Sequence, residues 1–228
     1  MKRMWNGCAL VAAAVLTIAA CGSSSSKADP ATDLATAKAA TLTAADMAGW
    51  KATPYSSSGD ELPASLKKQF ANCIHESSTI FDDRPGEQKG HSPDFAKGNA
   101  EVSAEVDVEP ARSDVDSDWK NISKAGFETC LGQLFSAAFK TSATGVTVSK
   151  VTATRFAVGV GSRSVGYAMK ITAADQGVSV DAYIDLVVAG RDRAEIELDA
   201  ENVAQPVDRA TEKKLIQTMY DRVGSKAS

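Results

Sequence analysis

The most regular pattern in the chain is an alternation of apolar and polar side chains over residues 99–109. Successive side chains of a β-strand point to opposite faces, so the alternation predicts a strand with one buried face and one wet face. The apolar positions are Val102, Ala104, Val106 and Val108, and the polar positions are Glu101, Ser103, Glu105 and Asp107.

Other segments repeat their apolar residues at helical spacing. A stripe of this kind runs through residues 62–74, where Pro63 suits the first turn of a helix. Residues 114–141 and 206–223 carry two longer stripes, and residues 42–50 predict a short helix. Each stripe indicates one face packed against a core.

Four strand-like runs follow residue 145 and are separated by short, glycine-containing turns. Short turns between consecutive strands favour an antiparallel meander. The runs cover residues 146–158, 164–172, 178–188 and 194–199. Because helices bracket this sheet in the sequence, we predict a single α+β domain over residues 42–228, with an antiparallel sheet of about five strands.

Residues 1–20 have the features of a signal peptide. Their apolar run is shorter than the about 20 residues that a permanent transmembrane helix needs. The run ends in Ile18-Ala19-Ala20-Cys21, which resembles the bacterial lipobox. The resemblance implies cleavage before Cys21, a thioether-linked diacylglycerol on its sulfur, and fatty acylation (palmitate) of the new amine. An ordinary signal peptide followed by a chance cysteine is the alternative.

Residues 21–41 predict the acylated cysteine and a flexible tether, because the stretch after Cys21 is rich in Ser and lacks aromatic residues. An early alanine-rich helix over Ala35–Ala45 is the alternative. Two or three acyl chains anchor a protein stably. The sequence therefore predicts a lipid-anchored protein at the extracytoplasmic face of the cell membrane.

The chain is acidic, with 25 Lys and Arg against 29 Asp and Glu and a formal charge of −4. Loss of Lys2 and Arg3 with the signal peptide leaves 23 basic and 29 acidic residues, a charge of −6. Such a protein lacks the positive field that phosphate binding needs, which argues against nucleic acid as a partner.

Two cysteines, Cys73 and Cys130, belong to the folded part. In an oxidising compartment a lone remaining pair most simply forms a disulfide, which here would join two predicted helices. The alternative is a reactive thiolate served by His75. That pairing is weak because residues two apart on a helix point in different directions.

Residues 75–98 are rich in Pro, Gly and charge, show little periodicity, and predict a long loop of functional or mobile character. Four of its side chains are candidate ligand contacts: His75, Asp82, Arg84 and His91. The loop has no metal-binding histidine spacing such as H-x-x-x-H, so neither a metal site nor any cofactor is predicted.

Asp114, Asp116 and Asp118 resemble the start of a calcium loop, but the sixth and twelfth positions are Trp119 and Ala125 rather than Gly and an acid. Acids before and in the first turn of a helix are the simpler interpretation, and occasional ion binding is left open.

Two further patterns have simple structural interpretations. The Gly-rich residues 159–164 lack the Lys-Ser/Thr of a phosphate-binding loop, so they predict a hairpin turn, and no G-x-S-x-G motif is present. Acids that alternate with apolar residues in the later strands would line a wet sheet face, or a ligand cleft if that face is concave. They are Asp181, Asp185, Glu195 and Glu197.

The order of these features resembles a known group of proteins. The features come in this order: a tether, the LTAADM segment, a first Cys, Ser92-Pro93-Asp94-Phe95, an alternating strand, a second Cys on a helix, a meander and a final helix. This order is similar to actinobacterial, chiefly mycobacterial-type, surface lipoproteins and to the extracellular sensor-type domains of receptor kinases from those bacteria. The resemblance implies a disulfide-stapled sheet with a cleft and a role in ligand sensing or carriage, and it carries over no catalytic residue.

The sequence thus predicts a non-enzymatic lipoprotein that presents a ligand-binding or sensing domain to a small or lipidic ligand or to an envelope protein. A structural or protein-interaction module is the second hypothesis, and it predicts an exposed apolar patch. A hydrolase that uses His75 or His91 with a nearby carboxylate is the third.

Overall fold

The computed structural model describes residues 29–56, 62–142, 146–175 and 178–226, in which helices cover both faces of an antiparallel sheet. The helices are α1 (Pro30–Ala40), α2 (Ala64–Cys73), α3 (Arg112–Ile122), α4 (Phe127–Ser142) and α5 (Arg209–Lys226), with a 3-10 turn at Ser78–Ile80. The strands are β1 (Lys51–Thr53), β2 (Gln88–His91), β3 (Asp94–Lys97), β4 (Ala100–Val108), β5 (Val146–Phe156), β6 (Ser164–Asp175), β7 (Val178–Arg191) and β8 (Ala194–Val203).

The strand order is β1-β3-β4-β8-β7-β6-β5, and β2 pairs with β4 beside β3. The α+β class and the C-terminal antiparallel meander are therefore confirmed. The described residues contain eight strands rather than about five, because three short strands are added at the N-terminal edge.

Two of the extra strands occupy part of the predicted long loop, so that prediction is wrong for β2 and β3. Both pair with the same edge of β4, and the chain bends between them at Pro93, which has no N–H to donate. The Ser92 N–H donates to the Ala104 oxygen at 2.8 Å, and the Ala104 N–H donates to Ser92 Oγ at 2.9 Å. The serine hydroxyl thus completes the pairing that the bend interrupts.

The two faces of the sheet have separate hydrophobic cores. Helices α2 and α4 pack on the face formed by β5–β7, where Phe70, Phe127 and Tyr167 are fully buried. Helices α1 and α5 pack on the opposite face of β4, β7 and β8, over residues such as Ile196 and Ile216. The apolar side of the alternating strand β4 belongs to this second core.

The predicted disulfide is confirmed. Cys73 at the end of α2 and Cys130 in the first part of α4 are bonded, with their Cα atoms 5.7 Å apart. The bridge fixes the two helices that cover the β5–β7 face. Neither cysteine is a free thiol, so the alternative of a reactive thiolate is not available in this structure.

Helix α1 occupies part of the stretch that the sequence predicted as a tether, close to the alternative helix. Its N-cap Asp29 accepts a hydrogen bond from the Ala31 N–H at 3.2 Å. The helix lies so close to β2 that a Cβ on Gly90 would be 2.4 Å from the carbonyl carbon of Ala37. The folded unit therefore includes residues before 42.

Residues 42–50, predicted as a short helix, form turns instead. The Thr43 N–H and hydroxyl both donate to the Asp46 carboxylate at 2.8 Å, and Gly49 has a φ of +81°. These local hydrogen bonds compete with a helix, and the left-handed glycine redirects the chain into β1.

Residues 1–28 lie outside the described residues, so the signal peptide, the lipobox and the acylation of Cys21 stay predictions. Within the described segments, none of the helices combines the length and the apolar character needed to cross a membrane.

Candidate functional site

One half of a sheet face is covered with carboxylates. Three acids of β4 lie directly opposite three acids of β8: Glu101 is opposite Glu201, Glu105 is opposite Glu197, and Asp107 is opposite Glu195. Side chains paired across strands have their Cβ atoms about 5 Å apart. We call this surface the acidic face, and define it as Glu101, Glu105, Asp107, Glu109, Glu195, Glu197, Asp199 and Glu201.

The acidic face is continuous with the β5–β7 core. On β7, Val188 lies opposite Glu197, Leu186 opposite Asp199, and both apolar residues are buried under helices. The same sheet face is therefore apolar where α2 and α4 cover it and acidic where β4 and β8 continue it. The wet face predicted for β4 is thus the acidic half of this surface.

The two ends of the acidic face differ in exposure. Glu101 is exposed, and Glu105 and Glu197 are partly buried. At the opposite end, Glu195 is 6% exposed and Glu109 is fully buried. The acidic face is thus open at the Glu101 end and closed at the Glu109 end.

The closed end is held by a buried arginine. Arg84 donates to both carboxylate oxygens of Asp118 on α3, at 2.7 and 2.6 Å, and also pairs with Glu109 at 2.7 Å. Burial acts to lower the pKa of Arg84, but Asp118 and Glu109 raise it above its usual range. The guanidinium is therefore permanently charged and joins α3 to the sheet.

A lysine and a histidine from β2 lie over the middle of the acidic face. Lys89 Nζ is 2.9 Å from Glu87, 3.6 Å from Glu105 and 3.9 Å from Asp107. His91 Nδ1 lies 2.8 Å from Glu105, and its ring stacks on Tyr55 with centroids 4.0 Å apart. Both side chains point to the same sheet face as the carboxylates that they contact.

The negative charge of the β8 half of the acidic face is not balanced by cations in the same way. Among the described residues, no Lys, Arg or His forms an ion pair with any of its four carboxylates, which are Glu195, Glu197, Asp199 and Glu201. One oxygen each of Glu195, Glu197 and Asp199 is buried without an N–H donor among the described residues. Carboxyl groups are hydrogen-bonded to each other instead, Glu195 to Asp118 and Glu197 to Asp199. A buried polar oxygen without a partner carries the full cost of its lost hydration.

The pKa values reflect this imbalance. Burial, reinforced by neighbouring negative charges, raises the pKa of Glu195 and of Glu197 well above the usual range. Burial and the Glu105 charge raise the pKa of Asp199 to about 7, and burial with the Asp199 and Glu101 charges raises that of Glu201 to about 8.

Glu105 behaves differently from the β8 acids. Burial would raise its pKa, but the hydrogen bond from His91 and the charge of Lys89 keep that pKa below the usual range. Glu109 has a pKa raised to about 7 by burial, in spite of Arg84. Burial also raises the pKa of Asp107 well above its usual range, in spite of Lys89. Among these acids, Glu105 is therefore the one whose contacts with His91 and Lys89 outweigh burial.

The four sequence-predicted ligand contacts separate into two pairs. Arg84 and His91 lie on the acidic face, as described above. His75 has a φ of +61° and terminates α2, and its N–H donates to the Asn72 oxygen at 3.2 Å. Asp82 is exposed in the segment before β2. The structure therefore brings together only Arg84 and His91.

The three aspartates considered for calcium point to different partners. The Asp114 carboxylate accepts from the Ala111 N–H at 3.0 Å, Asp116 pairs with Arg163, and Asp118 pairs with Arg84. Within the described residues, no group of three or more His, Cys, Asp and Glu side chains is arranged to hold a metal ion. These acids serve helix capping and ion pairing.

The acids noted in the later strands also separate. Asp181 pairs with Lys170 at 2.7 Å. Asp185 lies on the opposite sheet face, under α5, where Arg209 contacts both Asp185 and Glu212 at 2.9 and 2.7 Å. Glu195 and Glu197 alone belong to the acidic face.

The fold is similar to the extracellular domain of PknH from Mycobacterium tuberculosis. The TM-score is 0.40 with 11% sequence identity, and the match covers 84% of this chain and 96% of that domain. No protein-family model and no curated protein sequence matches the chain.

Sequence analysis named five of the eight residues of the acidic face as polar strand positions, but it did not join them into one surface. These five are Glu101, Glu105, Asp107, Glu195 and Glu197. The signal that could have revealed it is the spacing of acids two residues apart in two separate segments, residues 101–109 and 195–201. What the spacing does not show is that these segments are neighbours in the sheet and that their acids face the same way.

Proposed function

We propose that this chain is a lipid-anchored, non-enzymatic protein of the cell envelope, whose sheet presents the acidic face to a ligand. The observation that carries the binding function is the row of four carboxylates on β8 that form no ion pair with a cation among the described residues. A fold that buries several acids without counter-charges is destabilised by repulsion and lost hydration unless protons or a bound cation neutralise them.

The arrangement is that of a binding surface. Arg84 fixes the closed end, Lys89 and His91 occupy the middle, and Glu101 leaves the other end accessible. The unbalanced carboxylates between these ends are held on two strands of a sheet with a packed core behind it. Sites on such rigid elements keep their geometry better than sites on loops.

The two other hypotheses have less support from the described residues. An interaction module predicts an exposed apolar patch, whereas Val178 is the one large apolar side chain described as exposed. A hydrolase needs a histidine beside a carboxylate, and His91 with Glu105 meets that requirement. The stacking of His91 on Tyr55 and the adjacent Lys89 also fit a positioning role at the acidic face, so the pair alone does not favour catalysis.

Anchoring is proposed from the sequence of residues 1–21 and has a direct test. Replacing Cys21 by Ala removes the sulfur that would carry the diacylglycerol, so we expect the protein to leave the membrane fraction. The wild type and a Cys8→Ala control, altered only within the signal peptide, should stay there. Unchanged partitioning of Cys21→Ala in fractionated cells would contradict anchoring without affecting the binding proposal.

A further inference from the structure

Helix α1, the first described element, enters the domain at the closed end of the acidic face. Ala37 of α1 packs against Gly90, which pairs with β4 three residues before Glu109. One turn earlier in α1, the Asp33 carboxylate accepts two hydrogen bonds from Arg193, at 3.1 and 2.5 Å. The Arg193 backbone oxygen accepts from the Glu109 N–H at 2.7 Å, beyond the end of β4. The N-terminus of α1 therefore points out of the domain past the closed end.

The segment that joins α1 to the predicted lipid is short. Asp29, the N-cap of α1, is eight residues from Cys21. Eight residues reach at most about 26–29 Å when fully extended, and a flexible chain of this length averages about 14–17 Å from end to end.

The domain is longer than this average reach. The nine residues of β4 alone extend about 26 Å from the open end to the closed end. With the open end on the membrane, the segment before Asp29 would have to run nearly fully extended along the whole strand. With the closed end on the membrane, no such extension is needed. Chain length thus favours a closed end that faces the membrane.

The closed end also carries arginines that suit a layer of lipid headgroups. Arg112 is exposed at the first position of α3, three residues after Glu109, and Arg191 ends β7 at the β7–β8 hairpin. Arg191 donates to the Tyr220 oxygen at 2.9 Å and lies over the Tyr220 ring. Among the described residues, neither arginine forms an ion pair with a carboxylate, and the exposed acid of the hairpin is Asp192. Arginine binds phosphate through two parallel hydrogen bonds.

We infer that the closed end of the domain lies against the headgroup layer of the membrane that holds the anchor, with Arg112 and Arg191 directed at lipid phosphates. The inference rests on the proposed lipid anchor and adds to it the orientation of the domain. The Glu101 end of the acidic face then points away from the membrane. A ligand of the acidic face would therefore enter from the side that the membrane leaves free.

The test measures which end of the domain lies nearer to the membrane. The full chain, produced in a related bacterium, is incorporated into vesicles of phosphatidylcholine and phosphatidylglycerol that contain a fluorescent acceptor lipid. A donor dye is attached to the free thiol of either Ser162→Cys or Asn99→Cys. Both positions are exposed, Ser162 before β6 beside the β7–β8 hairpin and Asn99 in the turn between β3 and β4. Because they lie about one strand length apart, we expect at least about twofold more energy transfer from Ser162→Cys.

A second comparison tests the phosphate contacts. Adding Arg112→Gln to Ser162→Cys should lower the energy transfer, and it should also weaken the decrease that added salt causes. Lys97→Gln, which removes an exposed cation at the open end, should change neither quantity. Arg112 is chosen because it is exposed, whereas Arg191 also holds Tyr220. Thermal unfolding at the wild-type temperature confirms that the variants are folded.

The outcomes separate the orientation from the anchor. Equal transfer from the two dye positions, or more transfer from Asn99→Cys, would overturn the orientation in a protein that is nevertheless anchored. Transfer that Arg112→Gln leaves unchanged would overturn the assigned phosphate contacts. Cys21→Ala should show transfer from neither position. If the wild-type chain carries no lipid and stays off the vesicles, the proposed anchor fails and the inference fails with it.

Discussion

Replacing Arg84 by Gln is expected to lower the free energy of unfolding by about 3–5 kcal/mol at pH 8, because it leaves buried carboxylates without their partner. The Arg84 side chain is 4% exposed, and the side chains of Glu109 and Asp118 are fully buried. Urea unfolding at equilibrium measures the loss. Arg163→Gln is the matched control, since its partner Asp116 is half exposed and such pairs contribute less than about 1 kcal/mol.

The effect of Arg84→Gln should depend on pH in a defined direction. Burial already raises the pKa of Glu109 to about 7, and removal of Arg84 would raise it further. A carboxyl whose folded-state pKa is raised contributes stability at low pH and loses that contribution as the pH rises through the folded value. The deficit should therefore shrink between pH 8 and pH 5. A deficit below about 1 kcal/mol at pH 8 would show that Arg84 does not hold this end of the site.

Removal of the disulfide by Cys73→Ala with Cys130→Ala is expected to lower the free energy of unfolding by about 4 kcal/mol in the chain-entropy account. The bond joins residues 57 apart in sequence, so its loss frees a long segment of the unfolded chain. The affected helices, α2 and α4, cover the β5–β7 face rather than the acidic face.

The same urea measurement, with and without reductant, tests the disulfide prediction. Reductant should destabilise the wild type by a similar amount and leave the double variant unchanged. Equal stability of the wild type and the double variant, or two free thiols in the wild type under non-reducing conditions, would contradict it. Because the acidic face lies on other strands, ligand binding by the folded double variant should be retained.

Much of the fold follows from local sequence patterns. The alternation in β4 and the helical stripe around Phe70 identify elements whose burial is decided by their own side chains. The disulfide follows from counting cysteines in an oxidising compartment. The alternation and the stripe are local signals, and the disulfide depends on a single pairing of cysteines. The structure agrees with all three.

The short strands of the N-terminal edge could not be found in the same way. Each of β2 and β3 has only four residues, and β2 contains Lys89, Gly90 and His91, which carry little strand signal. Their pairing depends on the neighbouring β4 and on the Ser92 hydroxyl, which replaces a backbone group at the bend. Tertiary context overrides local propensity at this edge.

The acidic face could not be predicted from any single segment of the sequence. The alternating acids of β4 and β8 were visible, but the register that places Glu105 opposite Glu197 comes from the assembled sheet. Arg84 likewise gives no periodic signal, since it reaches the acidic face from an irregular segment. A sequence can show that acids line one side of a strand without showing which strand lies beside it.

The most direct test of the binding proposal is the native mass spectrum of the chain isolated from a related bacterium in a non-ionic detergent. We expect an added mass that disappears on denaturation, is absent from Asp199→Asn and persists in Asp221→Asn. Such a result would place the bound molecule at the acidic face. Spectra without an added mass, or with one that Asp199→Asn leaves unchanged, would contradict the assignment of this face as a ligand site.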